Sequence, residues 1–225
     1  GSGKSTFLRL LKGLIWPDPN GGGRRTYNVG GEVTESSVGL DGGIALVSPE
    51  TQMRYQQSDW NLSAEEVILT GFEDTDLLYQ RPSRAQVQQA NTLLSNYGLM
   101  SLRKSLISEL SQGELRRILI LRVLVKSPIV LLLDEMSGGL DCYVRNQIVE
   151  LIAEVIRNGS QVVMTTHRED ERVAGITRVA ELKEGMLLRT DDRKEDLPKS
   201  GFLKQLPLPI ISGIKKDLGG LSQPI

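Results

Sequence analysis

The sequence predicts an α/β fold with a parallel-sheet core, a small antiparallel β part and an inserted α-helical subdomain. Three observations carry that expectation. Ile129 to Leu133 is an unbroken apolar run ahead of two acids, Asp134 and Glu135, the pattern of a buried strand in a parallel sheet. The chain opens Gly1-Ser2-Gly3-Lys4-Ser5-Thr6, the last part of G-x-x-x-x-G-K-[ST], a glycine-rich loop that cradles phosphate and runs into a helix. Between the apolar runs Ile44–Val47 and Ile129–Leu133 lie about 70 residues of helical pattern, too many for a single crossover helix.

Taken in order, the opening motif explains its own residue types. Its glycines let backbone N–H groups close around phosphate oxygens, and the following helix presents its N-terminus to the anion. Lys4 is placed to reach the β- and γ-phosphates and the Ser5 hydroxyl to ligate Mg²⁺. Phe7 to Leu11 continues as that helix. With the sheet pattern, this makes the fold class that of a P-loop NTPase. The motif's first glycine and the strand expected before it are not in the sequence, so the start reads as cut within the loop. A plain Gly-Ser tag is the alternative.

Trp16 to Gly43 is rich in Gly, Pro, Asn and Asp and reads as loops with a small antiparallel sheet around Glu32-Val33-Thr34, and Asn20 to Gly23 as a flexible tip. Ile44–Val47 is a short buried strand, with Ser48 to Gln52 expected as a loop. Three capping boxes then open helices, at Ser63-Ala64-Glu65-Glu66, Ser83-Arg84-Ala85-Gln86 and Ser111-Gln112-Gly113-Glu114, each pairing a hydroxyl with a side chain three residues on. Pro128 ends the third. After the strand ending at Asp134, a helix is expected over Val144–Asn158, closed by Gly159. Gln161–Thr165 is another buried strand, ending at Thr166-His167. Val179–Leu182 and Met186–Leu188 read as a hairpin about Glu184-Gly185.

Two adjacent acids at the end of a buried strand sit where open α/β sheets bind ligands. Burying charge is costly unless it is paired or metal-bound, and a cation carrying phosphate would resolve that cost. A strand that ends in solvent is the plain alternative. Composition narrows the classes. The 225 residues hold 27 Lys and Arg against 28 Asp and Glu, so no basic excess points to nucleic acid. The single cysteine, Cys142, permits neither an internal disulfide nor a Cys-based zinc module and suggests a reducing compartment. The apolar runs fall well short of the roughly 20 residues of a spanning helix, so a membrane partner would be a separate chain. No signal peptide is evident.

The motifs in order, GSGKST at 1–6, LSQGE at 110–114, IVLLLDE at 129–135, GGLD at 138–141 and TTH at 165–167, resemble the nucleotide-binding subunit of an ATP-binding cassette (ABC) protein over nearly all of residues 1–190. The resemblance implies a core of 1–52 and 127–190, a helical subdomain of 53–126 and a tail of 191–225. It implies ATP and Mg²⁺ as cofactors. Gly1, Ser2, Gly3, Lys4, Ser5 and Thr6 would bind phosphate, with Ser5 and Asp134 on the metal. Glu135 looks like the general base and His167 like the switch histidine. Ser111, Gln112 and Gly113 of the signature and Asp141 of the D-loop would meet nucleotide held by a paired subunit, making ATP the seal of a head-to-tail dimer. Locally, S-x-x-E is also an ordinary capping box and Asp141 an ordinary N-cap.

Two positions depart from the family pattern. Gln112 and Glu114 replace the commoner signature residues, and Glu114 brings negative charge toward an incoming phosphate. The glutamine expected directly after Ile44–Val47 is replaced by Ser48-Pro49-Glu50, so Gln52 by a shifted loop, or Glu50, becomes the third metal candidate. The implied activity is Mg-dependent ATP hydrolysis energising a separate membrane permease. The implied place is the cytoplasm, peripheral on the inner membrane face, with an organelle interior left open. A soluble non-transport ABC ATPase, acting in DNA repair, translation or regulation, is the alternative. The transported substrate is not encoded in such a subunit.

Overall fold

The computed structural model describes residues 2–21, 23–29, 32–37, 40, 43–167 and 173–192. The chain opens with helix α1 (Lys4–Lys12), followed by the antiparallel pair β1 (Tyr27–Val29) and β2 (Glu32–Thr34). Strand β3 (Ile44–Val47) leads into α2 (Pro49–Gln57), α3 (Ala64–Thr70), α4 (Arg84–Asn96) and α5 (Gln112–Leu124). Then come β4 (Val130–Asp134), α6 (Cys142–Arg157), β5 (Gln161–Thr165), and a hairpin of β6 (Arg178–Lys183) and β7 (Met186–Asp192). Among the described residues, no helix is long and apolar enough to cross a membrane.

The parallel sheet has the order β3-β4-β5. Its strands are short apolar runs rich in Val, Ile and Leu, which suit a pleated surface covered on both faces. Leu131, Leu132 and Leu133 are fully buried, and α1 packs against all three strands. Val47 lies opposite Leu133, and Asp134 opposite Thr165. The three strands therefore finish level, and whatever follows each of them is delivered to one edge, where open parallel sheets carry their ligand sites.

The helical part is built by local rules. Ser63, Ser83 and Ser111 each cap a helix, and Glu66, Gln86 and Glu114 each return a bond to the cap. Val67, Ile68, Leu94, Ile118 and Leu119 then close one core shared with the sheet. Buried Arg122 is satisfied within it, donating to the Thr70 hydroxyl and the Thr75 carbonyl, since an unpaired buried guanidinium would be strongly destabilising.

Two expectations are corrected. Ser48 to Gln52 is not a loop: Pro49 starts α2, which runs to Gln57. Pro at the first helical position costs no hydrogen bond and presets the backbone. The boundary placed at residue 52 accordingly falls inside α2. The helix expected from Val144 begins at Cys142, because Asp141 caps it by accepting from the Val144 N–H. It ends at Arg157, with Gly159 just beyond in the left-handed conformation. The hairpin about Glu184-Gly185 is present. Gly1, Gly22 of the expected flexible tip and the tail beyond 192 lie outside the described residues.

Candidate functional site

At the level edge of the sheet, residues from three separated motifs meet. Lys4 Nζ donates to Ser2 Oγ at 2.8 Å and approaches His167 Nδ1 at 3.4 Å. His167 Nε2 lies 2.6 Å from Glu135 Oε1. An ammonium can only donate, so where Nδ1 accepts from it, an Nε2–H is the group that donates a hydrogen bond to the Glu135 carboxylate. His167 is exposed, at 66% for its side chain, as suits a group that meets something from solvent.

Beneath this line, Asp134 is 4% exposed. The Thr165 hydroxyl donates to Asp134 Oδ1 at 2.6 Å and accepts from the Glu135 N–H at 3.1 Å. One hydroxyl on the neighbouring strand thus fixes both acids, because the register sets Thr165 beside Asp134. Sequence reasoning named Thr165 only as part of a motif. The signal for its role is the sheet register, which no local pattern shows. Glu135 has φ of 52°, a conformation costing a non-glycine residue of order 1–3 kcal/mol. The hydrogen bond from its backbone N–H to the Thr165 hydroxyl helps hold it there.

Ser5 and Thr6 lie in the first turn of α1, Ser5 half-buried and Thr6 exposed. Gly3 precedes them with φ of 89° and no side-chain cap, a conformation glycine adopts without steric penalty. The turn of the β6–β7 hairpin closes against this start: the Gly185 N–H donates to the Ser2 carbonyl. The oxygen donors on offer, the Asp134 carboxylate and the Ser5 hydroxyl, suit Mg²⁺ better than a softer metal. Among the described residues no group of three His, Cys, Asp or Glu could hold a metal unaided.

Gln52 lies in α2, 7% exposed. Its Oε1 accepts from Arg116 Nε of α5 at 2.7 Å. Glu50, the other metal candidate, pairs with Arg9 of α1. A hydrogen bond from Ser48 holds its carboxyl below the usual range, with smaller help from its own backbone and Arg9 and with burial opposing. Both side chains are thus engaged with guanidinium groups. Arg116 also donates from Nη1 to the carbonyls of Met136 at 2.9 Å and Gly138 at 2.6 Å, and burial lowers its pKa. Nothing in the sequence pattern singled it out.

The signature residues form a second cluster. Ser111 and Gln112 are exposed at the start of α5, and Gly113 is buried. A Cβ on Gly113 would sit 2.0 Å from Val144 Cγ1, so this glycine lets α5 meet α6. The Ser111 hydroxyl and N–H both donate to Glu114 Oε2, at 2.7 and 2.9 Å. These two bonds hold the Glu114 carboxyl below its usual range, with burial opposing and Arg117 assisting. Asp141 is exposed and caps α6.

Comparison with known proteins bears on the family and the fold. The family model described as ABC transporter matches residues 1–138. A phosphonates import ATP-binding protein of Pseudomonas aeruginosa is 30% identical, the match spanning 100% of this chain and 84% of that protein. The energy-coupling factor transporter ATP-binding protein EcfA2 of Streptococcus pneumoniae is 28% identical, over 97% of this chain and 77% of that protein. Among solved structures, the ADP conformation of an ATP-binding cassette of an ABC transporter superposes with a TM-score of 0.71 at 20% identity. That superposition covers 87% of this chain and 78% of the other. A nucleotide-free cassette gives 0.70 at 20% identity, over 85% and 76%. These structural likenesses speak to the fold.

Proposed function

We propose, since the chain belongs to the ABC transporter family, that it binds ATP with Mg²⁺ at the level edge of the sheet, hydrolyses it, and so powers a separate membrane permease. ATP binding and hydrolysis is the chemistry of the family. The finer assignment to residues rests on one observation: Lys4, His167 and Glu135, from three distant motifs, stand in one line of contacts.

In this reading the first turn of α1 and Lys4 receive the β- and γ-phosphates, supported by the backbone from Ser2 to Thr6. Ser5 and Asp134 would hold Mg²⁺, which would supply positive charge beside the phosphate oxygens. Thr165 keeps Asp134 aimed by donating to its Oδ1. Glu135 takes the proton of the attacking water, and a positioned base of this kind contributes about 10²–10⁴-fold. His167 already contacts both Lys4 and Glu135, so it can align the water between base and phosphate. Gln52 Oε1 accepts from Arg116 and keeps a second lone pair, so Gln52 stands as the third metal candidate beside Ser5 and Asp134.

Two such cassettes pair head to tail, and Ser111, Gln112 and Gly113 of one close over nucleotide held by the other, beside Asp141. The parallel sheet with α1 and α6 acts as the nucleotide-holding core, and the helices between β3 and β4 act as the arm carrying the signature. The subunit sits peripherally against its membrane partner. The relatives compared are named for phosphonate import and for an energy-coupling factor transporter, which favours transport over a soluble role.

Glu135→Gln tests the assignment. ATP binding should persist while steady-state phosphate release falls at least about 100-fold. Release at the wild-type rate from a variant that binds ATP would remove Glu135 from the role.

A further inference from the structure

Arg116 is the most heavily committed polar group near the site, and the reaction as described gives it no part. It sits just past the first turn of α5. Its guanidinium bonds to Gln52 Oε1, the Met136 carbonyl and the Gly138 carbonyl. Those partners belong to different pieces of chain. Gln52 is in α2, which is tied to α1 through Glu50 and Arg9. Met136 directly follows Glu135, and Gly138 closes a turn by donating to the Glu135 carbonyl at 3.2 Å.

The geometry points to Arg116 as a positioning residue for hydrolysis: it holds the backbone from Glu135 to Gly138, and with it the direction of the Glu135 carboxylate, and links that backbone to Gln52. The inference rests on the ATPase reading above. The physical case is that Glu135 keeps a left-handed φ of 52°, which needs external restraint. Thr165 restrains it from the amide side. Arg116 restrains it from the other side, by two carbonyls that follow. A planar fork of five N–H donors can serve three acceptors at fixed angles, which a lysine ammonium on a flexible stem cannot. The start of α5 is in turn pinned to α6, because Gly113 packs on Val144 without room for a side chain. The strand end that carries the base is thus braced by the same helix that carries the signature, so a shift of α2 or α5 reaches Glu135 through one side chain.

The test uses Arg116→Met, Arg116→Lys, Gln52→Ala and the double variant Gln52→Ala/Arg116→Met. In Arg116→Met, kcat should fall about 10- to 100-fold, the range for a misplaced catalytic group, while KM for ATP stays within about twofold. Arg116→Lys should recover part of the loss. Gln52→Ala should cost less than Arg116→Met, and the double variant should be no slower than Arg116→Met alone, since coupled residues are not additive. Amide exchange gives a readout independent of turnover. Residues 136–141 should exchange at least about tenfold faster in Arg116→Met while α5 keeps its protection. Unchanged kcat in a folded variant, a rise in KM alone, additive losses, or loosening spread along α5 would overturn the proposal. Should Arg116→Met fail to fold, Arg116→Lys and Gln52→Ala carry both measurements. A wild-type chain that turns over no ATP would overturn the ATPase reading instead, and exchange at 136–141 then decides the role of Arg116 alone.

Discussion

Two helices, α1 and α5, both begin where phosphate is expected, yet their first turns are built in opposite ways. α1 starts from Gly3, with no side-chain cap and no acid in its first turn. α5 starts from Ser111 and is closed by a full capping box with Glu114. The first N–H groups of any helix have no partner within it. At α1 they face the mouth of the sheet uncontested by a side-chain cap, beside Lys4. At α5, the Glu114 N–H donates to Ser111 Oγ at 3.3 Å, and the Ser111 hydroxyl proton is given to Glu114. A phosphate meeting α5 must compete with a carboxylate already in place. In the proposed reading, α1 is then the primary seat for the anion, and α5 a conditional one that engages when a paired subunit brings the phosphate to it.

The sharpest way to break the contrast is to block the α5 seat without touching α1. Ser111 is exposed, so Ser111→Arg should fold while placing a bulky side chain against the facing subunit. ATP-dependent pairing should weaken by more than about 100-fold, equivalent to roughly 3 kcal/mol. Nucleotide binding to the single subunit should change little. Gel filtration with Mg-ATP reads the first and nucleotide titration of the monomer reads the second. Loss of monomer binding would show that the two seats are not separate.

The same contrast shows what the sequence made legible. Each capping box was readable because both of its members lie within four residues, and the box alone decides where a helix starts. The sheet was readable because Ile129–Leu133 is too apolar to face water. The line from Lys4 to His167 to Glu135 needed the strands to finish level, which the motifs imply and the register supplies. The start of helix α2, up to Gln52, reads as a loop because its sequence, PETQMRYQQ, lacks an apolar stripe. Its buried face is only Gln52 and Tyr55: Tyr55 alone enters the hydrophobic core, and polar pairs, Glu50 to Arg9 and Gln52 to Arg116, hold the rest. Such long-range polar pairs leave no periodicity. Thr165 and Arg116 were missed for the same reason.

Glu114→Gln sharpens the comparison rather than breaking it. Glutamine can still complete the capping box, so the start of α5 should survive. The negative charge facing an incoming phosphate is gone, and α5 then resembles α1 in carrying no acid there. ATP-dependent pairing should tighten by about three- to tenfold at low salt, with the gain shrinking as salt rises, because the charge is near the surface and screened. Pairing that is unchanged or weaker at every salt concentration would mean that Glu114 does not face the phosphate.

The smallest effect expected is on stability against pH, and its sign follows from the bonds Ser111 gives. Those bonds favour the carboxylate, so the folded pKa of Glu114 lies below its unfolded value. A group depressed in this way contributes its full stability above the unfolded pKa of about 4.3 and loses it as pH falls through the folded value. Solvent screening at a largely exposed carboxyl keeps the contribution under about 1 kcal/mol, or roughly 3 °C in Tm for a chain of this size. Glu50 is also depressed, through Ser48, but it titrates in wild type and variant alike and cancels when the two are compared. Thermal unfolding of wild type and Glu114→Gln between pH 7 and pH 3 should therefore show the wild type's Tm falling relative to the variant's, with the change concentrated below about pH 5. Because α1 has no acid in its first turn, it adds nothing to this difference. A Tm gap that stays constant with pH would mean that the capping box does not depend on the charge of Glu114, and the conditional seat at α5 would have to be explained by shape alone.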